Sequence, residues 1–105
     1  MKIIDLDLLV NDPIEFKIGG ESYQVSTMPT TKFILEMALL EDKMKNSKKN
    51  EEQIGLLDEM VMKLFNQENE QVSKEFVSSK LSFTQKKKIM EVYREMMNDI
   101  NSNPN

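Results

Sequence analysis

IEFKIGGESYQV, residues 14–25, is the stretch on which the fold turns. If Gly19 and Gly20 are the central residues of a primed two-residue turn, they supply positive φ angles without steric cost. Ile18 then faces Glu21, Phe16 faces Tyr23 and Ile14 faces Val25. That register gathers the apolar side chains on one face and puts Glu15 with Gln24 and Lys17 with Ser22 on the other. A two-stranded ribbon is marginal in water by itself, so its apolar face needs a cover. The remaining sequence reads as helix. The expected fold is α+β and mostly helical, with an N-terminal hairpin, with or without a further strand, packed on three to four helices.

Upstream, residues 3–10 (IIDLDLLV) alternate apolar and acidic residues, and Asn11-Asp12-Pro13 breaks the run, so residues 1–13 form either a strand or an extended arm. Asp5 and Asp7 resemble the opening of a calcium loop, but Leu9 and the missing turn glycine set that reading aside. Downstream, Pro29-Thr30-Thr31 starts a helix of about four turns, ending at Met44 or Lys45 with a threonine cap. Phe33, Met37, Leu40 and Met44 form its stripe, with Leu35 and Leu39 roughly opposite. Apolar on two sides, this helix is expected to be the central one, between the hairpin and the other helices; the alternative is that its second side meets a partner chain.

The charged segment 43–52 is expected to be a mobile linker, chiefly over residues 44–50. Asn50 and Gln53 have capping-box spacing for a second helix that carries Ile54, Leu57, Val61, Leu64 and Phe65 and ends near Asn66. A short helical turn around Val72, Phe76 and Val77 is capped by Ser73. Ser82 and Gln85 open a last helix to about Ile100, with the stripe Ile89, Val92, Tyr93, Met96 and Ile100 and an edge of Phe83, Met90 and Met97. Residues 101–105 read as a frayed tail.

At 105 residues the chain is one domain, 1–105, large enough for a single core. Cysteine and histidine are both absent, which excludes disulfides, thiol chemistry and the commonest zinc and general-base ligands. The carboxylates are expected at solvent-facing positions. No enzymatic activity, cofactor or metal site is expected. Fourteen basic against 18 acidic residues give a net charge of −4, and Arg94 is the lone arginine, a poor endowment for gripping a phosphate backbone. No segment reaches membrane-spanning length and the N-terminus has no signal cleavage pattern, so the expectation is a soluble, intracellular protein without membrane or nucleic-acid partners.

Three features compete for a functional role. Gly19-Gly20 is a turn rather than a phosphate loop, because neither a helix start nor a P-loop lysine follows it. Lys86-Lys87-Lys88 at the head of the last helix would suit a small helical DNA-binding regulator. Glu91 and Glu95 on the following turns instead favour a solvated lysine run. The nine methionines are expected to fill the core for the most part. Leu35 and Leu39 on the first helix and Met90 and Met97 on the last lie off the narrowest stripes and are the candidate partner-binding residues, with Glu36, Asp42, Glu91 and Glu95 nearby to steer a basic amphipathic helix.

The order of these elements resembles the small tail assembly chaperones of long-tailed phages (siphoviruses) and prophages of Gram-positive bacteria. The elements are a short N-terminal segment, the IEFKIGGESYQV hairpin, the PTTKFILEMALLE helix, a charged linker, an amphipathic helix and the SKLSFTQKKKIMEVYREMM unit. The resemblance spans nearly the whole chain and rests on pattern, since that family has no catalytic signature. It implies a non-enzymatic protein of the host bacterial cytoplasm that binds and solubilises the tape measure protein and helps recruit tail tube protein subunits. It also implies absence from the mature virion. Self-association as a homo-oligomer is compatible with that role.

Overall fold

A computed structural model describes residues 1–102 of the protein. Two strands, β1 (Ile14–Ile18) and β2 (Glu21–Val25), are followed by four helices, α1 (Thr31–Asn46), α2 (Asn50–Phe65), α3 (Lys74–Lys80) and α4 (Phe83–Ser102). The strands pair antiparallel in the expected register, Ile14 with Val25, Phe16 with Tyr23 and Ile18 with Glu21. Gly19 and Gly20 take φ values of 59° and 85°, the left-handed conformations that a tight hairpin turn demands. Residues 1–13 form the arm rather than a further strand. All of them are exposed, and a single 3₁₀ turn at Leu6–Leu8 is held by the Asp5 carboxylate, which accepts from the Asp7 backbone N–H at 3.0 Å.

The helix starts show how local sequence sets the boundaries. Thr30 Oγ1 accepts from the Phe33 N–H at 3.1 Å, and Ser73 Oγ accepts from the Phe76 N–H at 3.0 Å. At α4 the capping box closes reciprocally: the Ser82 N–H donates to Gln85 Oε1 at 2.7 Å and the Gln85 N–H donates to Ser82 Oγ at 3.1 Å. The second helix departs from this pattern. Lys49 is its N-cap and makes no side-chain cap bond, so Asn50 is already helical. Gln53 Nε2 instead donates back to the Ser47 carbonyl at 2.9 Å, tying α2 to the end of α1. Because α1 continues to Asn46, the connection is only residues 47–49 rather than 44–50. The last helix likewise runs through 101 and 102, while 103–105 of the expected tail lie outside the described residues.

Helix α2, not α1, is the centre of the domain, and it packs against α1, α3, α4 and β2. Met60, Val61, Leu64 and Phe65 are buried along it. The expectation for α1 is overturned because only its Phe33, Met37 and Leu40 face is covered, leaving Leu35 and Leu39 65% and 61% exposed. The hairpin covers the C-terminal end of α2. Phe16 stacks on Phe65 with ring centroids 5.5 Å apart, and Tyr23 lies 5.9 Å from Phe65 and 5.8 Å from Phe76. Met37, Met60, Met90 and Met96 fill the core, as expected of most methionines here.

Side-chain amides seal the free edge of β2. Gln71 Oε1 accepts from the Gln24 N–H at 3.3 Å, and Gln71 Nε2 donates to the Gln24 carbonyl at 2.7 Å and to the Phe65 carbonyl. One glutamine thus stands in for a neighbouring strand's peptide group, satisfying backbone groups that would otherwise form an open edge. Asn66 orders the loop that presents it, accepting from the Gln71 and Val72 N–H groups and donating to the Val72 carbonyl at 2.8 Å.

Phe65, 1% exposed, joins ribbon to helices, so Phe65→Ala should lower unfolding free energy by about 3–5 kcal/mol in denaturant titrations. Phe16→Ala, at a half-buried ring, should cost clearly less.

Candidate partner-binding surfaces

Among the described residues no three or more histidine, cysteine, aspartate or glutamate side chains gather as a metal site, and no helix is long and apolar enough to cross a membrane. The buried titratable groups are better understood as structural. Asp58 on α2 and Lys86 on α4 are each 5% exposed, with Lys86 Nζ 2.7 Å from Asp58 Oδ1. The ammonium stands off the axis of a good hydrogen bond, so that oxygen is paired by charge without an aligned donor.

This pair corrects two expectations. Asp58 is not a solvent-facing carboxylate, and Lys86–Lys88 is not a uniformly solvated run. Three consecutive helical residues point about 100° apart and cannot share one face, and Lys86 is the one that turns toward α2. Of the others, Lys88 pairs with Glu91 at 3.2 Å, and Lys87 Nζ lies 5.7 Å from the centroid of the Phe83 ring.

Tyr93 on α4 is also buried, edge-on to Phe33 of α1 at 6.3 Å. Its phenol is pushed above its ordinary pKa, first by burial and then by the Glu41 carboxylate, with Arg94 opposing.

The four candidate residues do not form one face. Leu35 and Leu39 point outward, as a partner-binding role requires, and Ala38 is exposed between them to complete a seam at i, i+3 and i+4. Met90 is only 1% exposed and belongs to the core, and Met97 is half-buried against it. The heptad line Phe83, Met90, Met97 therefore passes from exposed to buried to half-buried, because cover from α2 is local and spacing alone does not report where a neighbour crosses. Two of the proposed steering carboxylates are already engaged, Glu36 by Lys63 at 3.1 Å and Glu91 by Lys88.

Met90 instead forms part of the wall of a groove of about 600 Å³ between the C-terminal end of α1, the first half of α2 and the first half of α4. Met44, Ile54, Leu57 and Phe83 supply further apolar lining, with Lys87 and Arg94 among its charged residues. Ile54 and Phe83 are 48% and 60% exposed, although the sequence pattern put Ile54 on the apolar stripe of its helix and Phe83 on the edge of the last one. Their positions in the opening turns of α2 and α4 were the available signal, since a helix end often projects past its neighbour. Compared with protein-family models, with characterised proteins and with solved structures, the chain finds no match.

Two measurements probe these buried groups. Lys86→Met alone should destabilise the protein by about 3–5 kcal/mol by stranding Asp58, and Asp58→Leu combined with Lys86→Met should restore much of that loss in thermal or denaturant melts. Since the raised Tyr93 pKa means the native state holds its proton longer than the unfolded chain, stability should fall as pH rises above about 10, until the folded-state pKa is passed. Tyr93→Phe should flatten that alkaline limb of a stability–pH curve.

Proposed function

We propose that the protein is a tail assembly chaperone that holds an apolar helical segment of the tape measure protein in solution while tail tube subunits are recruited. The observation that carries this reading is the outward seam Leu35, Ala38 and Leu39 on α1, whose opposite face is buried. Two leucines one turn apart, with a small alanine between them, allow close approach of a second helix, the geometry by which amphipathic helices are recognised. The apolar arm and the groove add to an apolar surface larger than such a small core leaves by necessity. The element order supports the same reading through its resemblance to the family.

On this reading the protein works without chemistry, in the cytoplasm of the infected or lysogenic host, and leaves before the virion is complete. A DNA-binding regulator has less support. Lys86 is committed to Asp58 and Lys88 to Glu91, so the basic run offers few free cations, on a chain of net charge −4.

Co-expression with fragments of a tape measure chain encoded just downstream tests the proposal. Leu35→Glu and Leu39→Glu, at exposed positions, should change stability by no more than about 0.5 kcal/mol yet lose the soluble complex in pull-downs. If both variants still hold the partner in solution, the α1 seam is not the binding surface. If the unaltered protein captures no tape measure fragment but binds duplex DNA with steep salt dependence, the regulator reading takes its place.

A further inference from the structure

The arm carries Met1, Ile3, Ile4, Leu6, Leu8, Leu9 and Val10, each more than 60% exposed; none of them joins the core or packs against it, and Val10 at the root lines a shallow concavity with Gln24, Ser26 and Met28. So many large apolar side chains on one short segment are costly to leave in water and mark a segment shaped to be covered. The same chain contains a groove with apolar lining and no occupant segment, formed by Met44, Ile54, Leu57, Phe83 and Met90.

Charge gives the match a sign. Residues 1–13 hold one lysine against three aspartates, Asp5, Asp7 and Asp12, so the arm is acidic. Within an acidic protein the groove is locally basic: Lys87 and Arg94 line it two helical turns apart, neither makes an ion pair among the described residues, and Glu91 is held by Lys88. An apolar, acidic segment complements this groove in both respects.

Reach decides whose arm it is. The arm is anchored at its root, where Thr27 Oγ1 donates to the Asp12 carbonyl at 3.0 Å, just before the start of α1. Met44 and the groove lie at the other end of that helix, about 20 Å away at 1.5 Å per residue. An extended chain covers at most about 3.5 Å per residue, and the 3₁₀ turn at Leu6–Leu8 shortens the arm further. Crossing to its own groove would use most of residues 5–11 as a tether and leave only the first few to dock. A neighbour's groove has no such restriction. The molecule's shape agrees: its longest dimension is 56 Å and its radius of gyration 15.3 Å, against about 13 Å for a compact chain of this length.

We infer that the arm, through Ile3 to Val10, docks in the Met44–Ile54–Phe83–Met90 groove of a second copy of this chain, with Asp5 and Asp7 opposite Lys87 and Arg94. The contact joins two different surfaces, so it either closes by reciprocal exchange or propagates as an open chain of subunits. Its occupancy by the arm keeps both apolar surfaces covered in the absence of any other partner.

The full-length chain by itself provides the test, so the outcome is separable from the tape measure proposal. Sedimentation should show concentration-dependent self-association, and deletion of residues 1–10, Leu8→Asp or Phe83→Asp should each weaken it by about tenfold or more. Arg94→Glu with Lys87→Glu should weaken it similarly, and adding Asp5→Lys with Asp7→Lys should restore it. Because the chain has no cysteine, Ile3→Cys accepts a single spin label. Mixed with unlabelled, isotope-enriched chain, it should broaden resonances of Ile54, Phe83 and Met90 in the other copy. A monomer at concentrations up to about 1 mM, association that survives loss of the arm, or association that leaves the groove resonances of the enriched copy unbroadened would each overturn the inference.

Discussion

The ring of Phe65 is where the hairpin and the helical bundle become one core. A two-stranded ribbon has too little apolar area to stand alone, and the C-terminal end of α2 would be bare without it. Phe16 and Tyr23 reach Phe65 from adjacent strands, and Phe76 on α3 closes over Tyr23, so one buried ring links three layers of structure. The amide network of Gln71 and Asn66 then fixes the ribbon at its edge, supplying direction where aromatic contact supplies area. Helix α2 becomes the hub because its buried face is wide: Asp58, Val61 and Phe65 share one stripe, Met60 and Leu64 extend it along the flank, and so broad a face needs more than one neighbour.

The Asp58–Lys86 ion pair gives the α2–α4 contact its register. Methionine-rich faces such as Met60, Met90 and Met96 are adaptable and discriminate weakly between alternative helix alignments. A displacement of α4 by one turn would separate two buried charges and leave both unpaired, a penalty of several kcal/mol that sliding apolar contacts would not impose.

What this small core leaves uncovered is as informative as what it buries. The α1 seam, the N-terminal arm and the groove between α1, α2 and α4 are apolar surfaces of different shape: a helix face, a segment and a concavity. Their combination is what the proposed chaperone role would use, since each could be covered by an apolar partner. The cations lining the groove, set within a chain of net negative charge, add selection by sign to selection by shape.

The elements legible in the amino-acid sequence are those whose instructions are local. Two glycines with matched flanks set the hairpin register. Thr30, Ser73 and the Ser82–Gln85 pair set three helix starts, because a cap satisfies backbone groups within a few residues of itself. The sequence also made Leu35 and Leu39 stand out from the α1 stripe. Long-range packing alone settled which helix is central, that Lys86 and Asp58 are buried together, that Met90 lies in the core while Ile54 and Phe83 flank a groove, and that the arm stays outside the core. Periodicity tells which residues share a helix face, but burial depends on where another element crosses that face. That crossing is set by contacts between residues far apart in the chain, such as Asp58 with Lys86 and Phe16 with Phe65.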